Sequence, residues 1–286
     1  MSRQMRLYYY TILGAVGGLI GWQVSNLVGL SFMETVYMSE VVVGGLVGLS
    51  IGVLLGLSDA FYSRNVLTML KSALVNGVLG MLGGAIGLPA AEWLFQTLGG
   101  EAWSRAFGWG GFGLLIGLAV GVTGGSQIWK PALGGMLGGL LGGAALEGAR
   151  LWLADTLMGK AVGLGLVGAF IGAFIALIVL LLSKAWLEVT SGKLQGNEFI
   201  LDKFLKTNGP SAYIGSSALK ADIVLPDPDV APQHAMIKGA DSHFTLKDMS
   251  LDGTFINNHK IELASLKNRQ VIKVGNTELV YHERRA

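Results

Sequence analysis

The sequence predicts a protein in two parts: an all-α transmembrane domain of six helices, built as three tandem hairpins, followed by an all-β sandwich. Three observations carry that expectation. Apolar residues make up 51% of the 286 positions and charged residues only 14%, the balance of a membrane protein. A glycine pattern recurs at fixed offsets through the N-terminal part. From about Lys184 onward glycine falls, charge rises, and short β-prone runs alternate with turn residues. The expected division is a membrane domain at 1–185, a linker at 186–196 and a head at 197–286.

The clearest hairpin runs from Gly138 to Ala176. Its first arm reads Met136-Leu137-Gly138-Gly139-Leu140-Leu141-Gly142 and its second Gly168-Ala169-Phe170-Ile171-Gly172. Both arms recur 55 residues earlier, as Met81-Leu82-Gly83-Gly84-Ala85-Ile86-Gly87 and as Gly113, Gly117 and Gly121. They recur again 66 and 65 residues before that, as Val16-Gly17-Gly18-Leu19-Ile20-Gly21 and as Gly48, Gly52 and Gly56. A shared offset for both arms marks a tandem array of two-helix units. Small residues four apart share one helical face and let two backbones approach closely in lipid. Gly17, Gly21, Gly48, Gly52, Gly56, Gly83, Gly87, Gly113, Gly117, Gly121, Gly138, Gly142, Gly168 and Gly172 are therefore the expected packing residues. Each unit begins on the same side, so the units are expected to superpose about an axis along the membrane normal.

Six apolar segments are long enough to cross about 30 Å of hydrocarbon: Leu7–Leu30, Val41–Leu57, Leu70–Leu94, Trp103–Val122, Ala132–Leu153 and Ala161–Leu182. The basic start Met1-Ser2-Arg3-Gln4-Met5-Arg6 resembles a signal peptide, but the long apolar run has no convincing small-x-small cleavage site. A retained first helix is expected. Tyr8, Tyr9, Tyr10, Trp22, Trp93, Trp103, Trp109, Trp129, Trp152 and Trp186 mostly fall near segment ends, as interfacial residues do. With the N-terminus inside, Arg3, Arg6, Arg64, Lys71, Lys130, Lys184 and Lys193 share its side. Only Arg105, Arg150 and Lys160 lie opposite, with Glu34, Glu40, Glu92, Glu101, Glu147 and Asp155. That asymmetry predicts an integral protein of a cell or inner membrane with both termini cytoplasmic.

Few residues offer chemistry. Glu92 and Glu147 occupy one repeat position, whose first-copy counterpart is Asn26. An ionisable group at membrane depth is a candidate functional site. The competing reading is a helix-end carboxylate in headgroup water, with Glu147 pairing Arg150 or Glu92 capped by its surroundings. The Gly-x-x-x-Gly runs follow no strand and precede no lysine-serine pair, so they are not nucleotide loops. The chain has no cysteine, and its four histidines (His234, His243, His259, His282) lack metal-like spacing or a nucleophile partner. No enzyme, cofactor or metal is expected, and a formal charge of +2 gives no argument for nucleic acid.

In the C-terminal part, Val224, Phe244, Leu246, Phe255, Ile256, Val271, Ile272, Leu279 and Val280 lie in β-prone runs. Asn208-Gly209-Pro210, Pro226-Asp227-Pro228-Asp229, Asp252-Gly253 and Gly275-Asn276 punctuate them, and Asp227 and Asp229 read as turn residues. The blocks Tyr213-Ile214-Gly215, Ala221-Asp222-Ile223-Val224-Leu225, Val230-x-x-x-His234-Ala235 and Leu251-Asp252-Gly253-Thr254-Phe255-Ile256-Asn257 are similar in order and spacing to the forkhead-associated (FHA) family. The resemblance spans roughly Glu198 to Glu283 and implies a phosphothreonine-reading β-sandwich. Gly215, His234, Gly253 and Asn257 keep the family pattern, and His234 matches a histidine that braces the loops. Ser216 stands where the family has arginine, Ala231 where it has serine, and Asp252 where it has asparagine.

Phosphate recognition needs a guanidinium fork and hydroxyl or amide donors. Lys220, the nearest basic residue in sequence, does not replace a planar fork. The candidate partner-binding residues are Gly215, Ser216, Ser217, Lys220, Ala231, His234, Asp252, Gly253, Thr254 and Asn257. The expected function is a signalling adaptor or scaffold in the lipid bilayer, whose head recruits a cytoplasmic protein without phosphothreonine. Two rivals stand beside it: a pore or transporter formed by the hairpins, alone or as a homo-oligomer and regulated by the head, and a subunit of a secretion or envelope assembly.

Overall fold

A computed structural model of the chain describes residues 2–28, 36–63, 66–99, 102–124, 127–153, 156–240 and 243–284. Glu34, Arg64, Glu101 and Asp155, which enter the charge asymmetry, lie outside the described residues. Six helices come first: α1 (Arg3–Leu27), α2 (Val36–Ser63), α3 (Val66–Thr97), α4 (Ala102–Gly124), α5 (Trp129–Trp152) and α6 (Thr156–Leu181). Five of them, α2 to α6, are long and apolar enough to cross a membrane. The expectation of six such helices is corrected at α1. Its 25 residues suffice in length, but Tyr8, Tyr9, Tyr10, Thr11, Gln23 and Asn26 dilute its apolar character.

Each helix packs on the next in sequence, and α1 packs on α6, closing a ring. The second arms α2, α4 and α6 supply its middle. Val47, Ile51 and Leu55, then Phe112, Ile116 and Val120, then Val167, Ile171 and Ile175 form one buried cluster, none more than 4% exposed. The three sets stand 65 and 55 residues apart. Where one hairpin meets the next, Gly48 lies on Gly80, Gly113 on Gly135 and Gly168 on Gly14. A Cβ on any of these six would collide with the facing carbonyl oxygen. One turn along, Gly52, Gly117 and Gly172 press on the backbone of Asn76, Pro131 and Tyr10, while Gly56 and Gly121 meet Ser72 and Ile128. Within the hairpins Gly21, Gly87 and Gly142 face Val47, Phe112 and Val167, and Gly17, Gly83 and Gly138 face Ile51, Leu115 and Ile171. Close approach multiplies small dispersion gains along each seam, which is what holds helices together where lipid is as apolar as leucine.

The head is a sandwich of β1 (Ala185–Val189), β2 (Glu198–Ile200), β3 (Ala212–Gly215), β4 (Ile223–Val224), β5 (Ala235–Gly239), β6 (Phe244–Asp248), β7 (Thr254–Ile256), β8 (His259–Ile261), β9 (Leu263–Ser265), β10 (Val271–Val274) and β11 (Thr277–Glu283). One sheet runs β2-β1-β11-β10-β7-β8, the other β4-β3-β5-β6-β9. Leu187, Ile214, Ile237, Phe244, Leu246, Ile272, Leu279 and Tyr281 fill the space between them and are fully buried. The segment expected as a linker is not one. Residues 186–189 belong to β1, which pairs with β11 from Ala185↔Glu283 to Val189↔Leu279. Ala185, Leu187 and Val189 alternate inward, and that period of two places the segment in the sheet.

Only three residues separate α6 from β1, and the head is fastened to the ring on several sides. Lys130, at the start of α5, donates to Asp202 at 2.6 Å, with side chains 2% and 6% exposed. The other Asp202 oxygen accepts the N–H groups of Lys184 (2.8 Å) and Ala185 (3.1 Å). Arg3 pairs with Glu198 at 2.7 Å and lies over the Trp186 ring. Trp186 stacks on His282, and Arg284 reaches both the Trp186 ring and the Leu181 carbonyl. The start of α1, the start of α5 and the end of α6 thus share the head-facing end of the ring.

Candidate functional site: the loop edge of the sandwich

The loops joining β3 to β4, β4 to β5 and β6 to β7 are tied into one edge around His234, which is fully buried. The Ala231 N–H donates to His234 Nδ1 at 3.1 Å, so the ring proton sits on Nε2. Nε2 then faces the Gly253 carbonyl at 3.2 Å and the Ser250 hydroxyl oxygen at 3.1 Å. Ser250 accepts the Gly253 N–H at 2.8 Å and donates to Asp248 at 3.0 Å. Asp248 also accepts the buried Thr254 hydroxyl at 2.8 Å. Burial pushes the Asp248 carboxyl up, but the bonds from Thr254 and Ser250 outweigh it and hold the group below the usual carboxylate range.

Two glycines are required by this geometry. At Gly215 a side chain would strike the Pro232 carbonyl, and Gly253 sits at φ +92°, in the left-handed region. Asn257, at φ +48°, accepts the Val271 N–H at 3.0 Å, which leaves only its amide NH₂ to donate outward. Ser217 turns its hydroxyl oxygen to the Leu219 N–H, and Gln233 donates to the Lys220 carbonyl at 3.0 Å. Lys220 and Asp252 are exposed, and Lys260 donates to the Asp252 carbonyl at 3.5 Å. Ser216, Ser217, Lys220, Ala231, Asp252, Gly253 and Asn257 therefore lie on or beside one edge, whereas His234 and Thr254 are interior braces.

Loops 215–220, 226–233 and 250–257 contain no arginine, so the edge has no planar fork for a phosphate. It offers Leu219 and Leu251 instead, 80% and 99% exposed. Sequence reasoning passed over both, as it did Asp248 and Ser250; an Asp-x-Ser placed just before Gly253-Thr254 was the available signal. Asp227 and Asp229 hold the β10–β11 turn: Asp227 accepts the Asn276 N–H and the Thr277 hydroxyl at 2.9 Å, and Asp229 accepts the Asn276 amide.

The membrane-domain candidates lie at the far end of the ring. Arg105 stands between Glu92 (3.8 Å) and Glu147 (3.9 Å) and stacks on Phe95, Arg150 pairs with Glu147 at 3.0 Å, and Gln96 donates to Glu92. Asn26 is exposed near the end of α1 and brings no charge to this group. The carboxylates are ion-paired at helix ends, away from the apolar middle.

Residues 212–275 match the family model described as FHA domain. Over 99 residues the chain is 30% identical to the glycogen accumulation regulator GarA of Mycobacterium tuberculosis, covering 34% of this chain. The match takes in 57% of that protein, so the chain spans little more than half of this curated relative's length. Among solved structures, the FHA domain of the CT664 protein from Chlamydia trachomatis is 31% identical, covering 36% of this chain and 100% of that one, with a TM-score of 0.32. The FhaA FHA domain, solved in complex with the intracellular domain of Rv3910, is 25% identical, covering 34% and 99%, with a TM-score of 0.29. The C-terminal sandwich of this chain is an FHA domain.

Proposed function

We propose that the protein is a membrane-embedded adaptor whose FHA head recruits a cytoplasmic protein without reading phosphothreonine. The observation that carries this reading is the edge just described. The backbone frame and its histidine brace are complete, yet the phosphate-facing positions hold Ser216, Ala231 and Asp252, and two exposed leucines flank them. An edge that is rigid, short of guanidinium and partly apolar suits an unphosphorylated segment better than a dianion.

The pore reading is weakened for a single ring. Nine buried apolar side chains occupy its middle, where a conduction path needs polar lining or water. The close-packed glycine seams also fit a rigid anchor. The test is titration of the full-length protein in detergent with matched phosphothreonine and unphosphorylated peptide libraries. Binding should be indifferent to the phosphate. Micromolar binding that requires it would refute the reading.

A further inference from the structure

Each sheet of the head has two edges, and among the described residues all but one are covered or charged. The β2 edge is held to the ring by the Glu198–Arg3 pair. The β4 edge borders a cavity between head and ring, which Ile223 lines. The β8 edge is open but carries His259 and Lys260, and charge on an edge strand discourages stray pairing. The remaining edge, β9, reads Leu263-Ala264-Ser265 and has neither charge nor proline. It lies four strand spacings from β4, about 19 Å, on the side of the sheet away from the ring.

The register leaves this edge unpaired. The Leu266 N–H donates to the Phe244 carbonyl at 2.8 Å and the Asp248 N–H to the Glu262 carbonyl at 2.9 Å. Residues 262, 264 and 266 therefore turn their backbone groups toward β6. The N–H and C=O of Leu263 and Ser265 point the other way and have no partner among the described residues. They are the groups that one further strand would bond.

Side chains decide which strand fits. On the inward side Ala264 and Ile261 are only partly buried against the core. On the outward side Leu263 is 67% exposed and stands opposite Lys247. The strands of this sheet turn Lys238 and Lys247 outward and no carboxylate, and neither lysine is ion-paired. Glu262, just before β9, has the inward parity of Ala264, and Asp222 lies beyond β3, where it accepts the Tyr213 N–H.

We infer that β9 takes up an extended segment of a cytoplasmic protein as an added strand, with acidic side chains outward and apolar ones inward. An outward glutamate lays its methylenes over Leu263 and carries its carboxylate toward Lys247. Inward apolar groups close the gap beside Ala264 and Ile261, so the backbone supplies affinity and the alternation supplies specificity. A second copy of this chain fits less well, because pairing β9 with β9 brings two lysine-bearing faces together. The site lies apart from the loop edge, and a phosphate requirement at that edge would leave it standing.

The experiment uses the full-length protein in detergent and end-blocked, fluorescein-labelled heptapeptides followed by anisotropy. One peptide alternates glutamate and valine, a second alternates lysine and valine, and a third is the first methylated at every backbone nitrogen. The glutamate peptide should bind saturably and about tenfold tighter than the lysine peptide, and the methylated one, which lacks donors, should not bind. Ser265→Pro removes an outward N–H that the fold does not use, at a kind of position where proline is accepted. It should melt as the unaltered protein does and bind the glutamate peptide about tenfold more weakly. Lys247→Glu should reverse the preference between the glutamate and lysine peptides. Absence of saturable binding by the glutamate peptide would overturn the proposal, as would equal binding of its methylated form or an unchanged preference in Lys247→Glu. So would undiminished binding by a Ser265→Pro protein that melts normally. A dimer of the unaltered protein that Ser265→Pro dissociates would make a second copy the occupant and overturn it too.

Discussion

Breaking the Lys130–Asp202 pair should cost different amounts depending on which partner is removed. The side chains are 2% and 6% exposed and meet at 2.6 Å, so neither charge can turn to water in place. Asp202→Ala strands the Lys130 ammonium and deprives the Lys184 and Ala185 N–H groups of their acceptor. Removing one partner of a buried pair costs about 3–5 kcal/mol. Lys130→Met keeps the volume of the stem and leaves Asp202 with both backbone donors, so it should forfeit about 1.5–3 kcal/mol, one hydrogen bond to a charged group. At about 2–4 °C per kcal/mol for a large domain, the alanine variant should melt of the order of 10 °C lower and the methionine variant roughly half as far. Tryptophan fluorescence during heating in detergent measures both, and Trp186, clamped between Arg3, Arg284 and His282, reports on the junction itself. Equal losses, or a larger one for Lys130→Met, would show that the backbone donors do not hold Asp202 as argued.

Four further outcomes are expected. Gly48→Leu or Gly135→Leu should lower thermal stability in detergent by more than the 1–3 kcal/mol typical of overpacking, because the obstacle is a facing carbonyl, whereas Leu137→Val should be mild. A reporter inserted between α3 and α4 should be exposed outside and one fused after Arg284 inside; the reverse would overturn the topology. Ser216→Arg combined with Ala231→Ser and Asp252→Asn should create phosphopeptide affinity by calorimetry, since a two-bond fork is worth two or more orders of magnitude. Asp248 has its pKa depressed in the fold, so its contribution is present above the unfolded value near 4 and lost as pH falls through the folded one. Melting of the head should therefore drop in that acid window, and Asp248→Asn should flatten the drop.

How much was legible follows from the range of each interaction. The helices are written in local spacing, but the closest seams pair Gly48, Gly113 and Gly168 with Gly80, Gly135 and Gly14, which lie one turn before the double glycines and outside the expected packing set. The FHA blocks are legible because their turns need particular residues, such as Gly253 at φ +92°. Strand β1 was missed although Ala185-Trp186-Leu187-Glu188-Val189 alternates, because its pairing partner lies nearly a hundred residues away. The Lys130–Asp202 pair is a contact at a separation of 72, and no local pattern announces it. Lys130 read as one more cytoplasmic charge, and only the docking of the head turns it into a buried one.

The matched positions of the three hairpins differ mainly at their ends. Across the middle the matched positions are interchangeable apolar residues: Val47, Phe112 and Val167, then Ile51, Ile116 and Ile171, all buried. At the head-facing end the matched set is Tyr9, Val75 and Lys130, and only the last carries a charge. That charge is the one that meets Asp202 of the head. At the opposite end the set is Asn26, Glu92 and Glu147, beside Glu40, Arg105 and Lys160 from the second arms. There Arg105 bridges two carboxylates that belong to different hairpins, pinning the far end of the ring as the glycines pin its length.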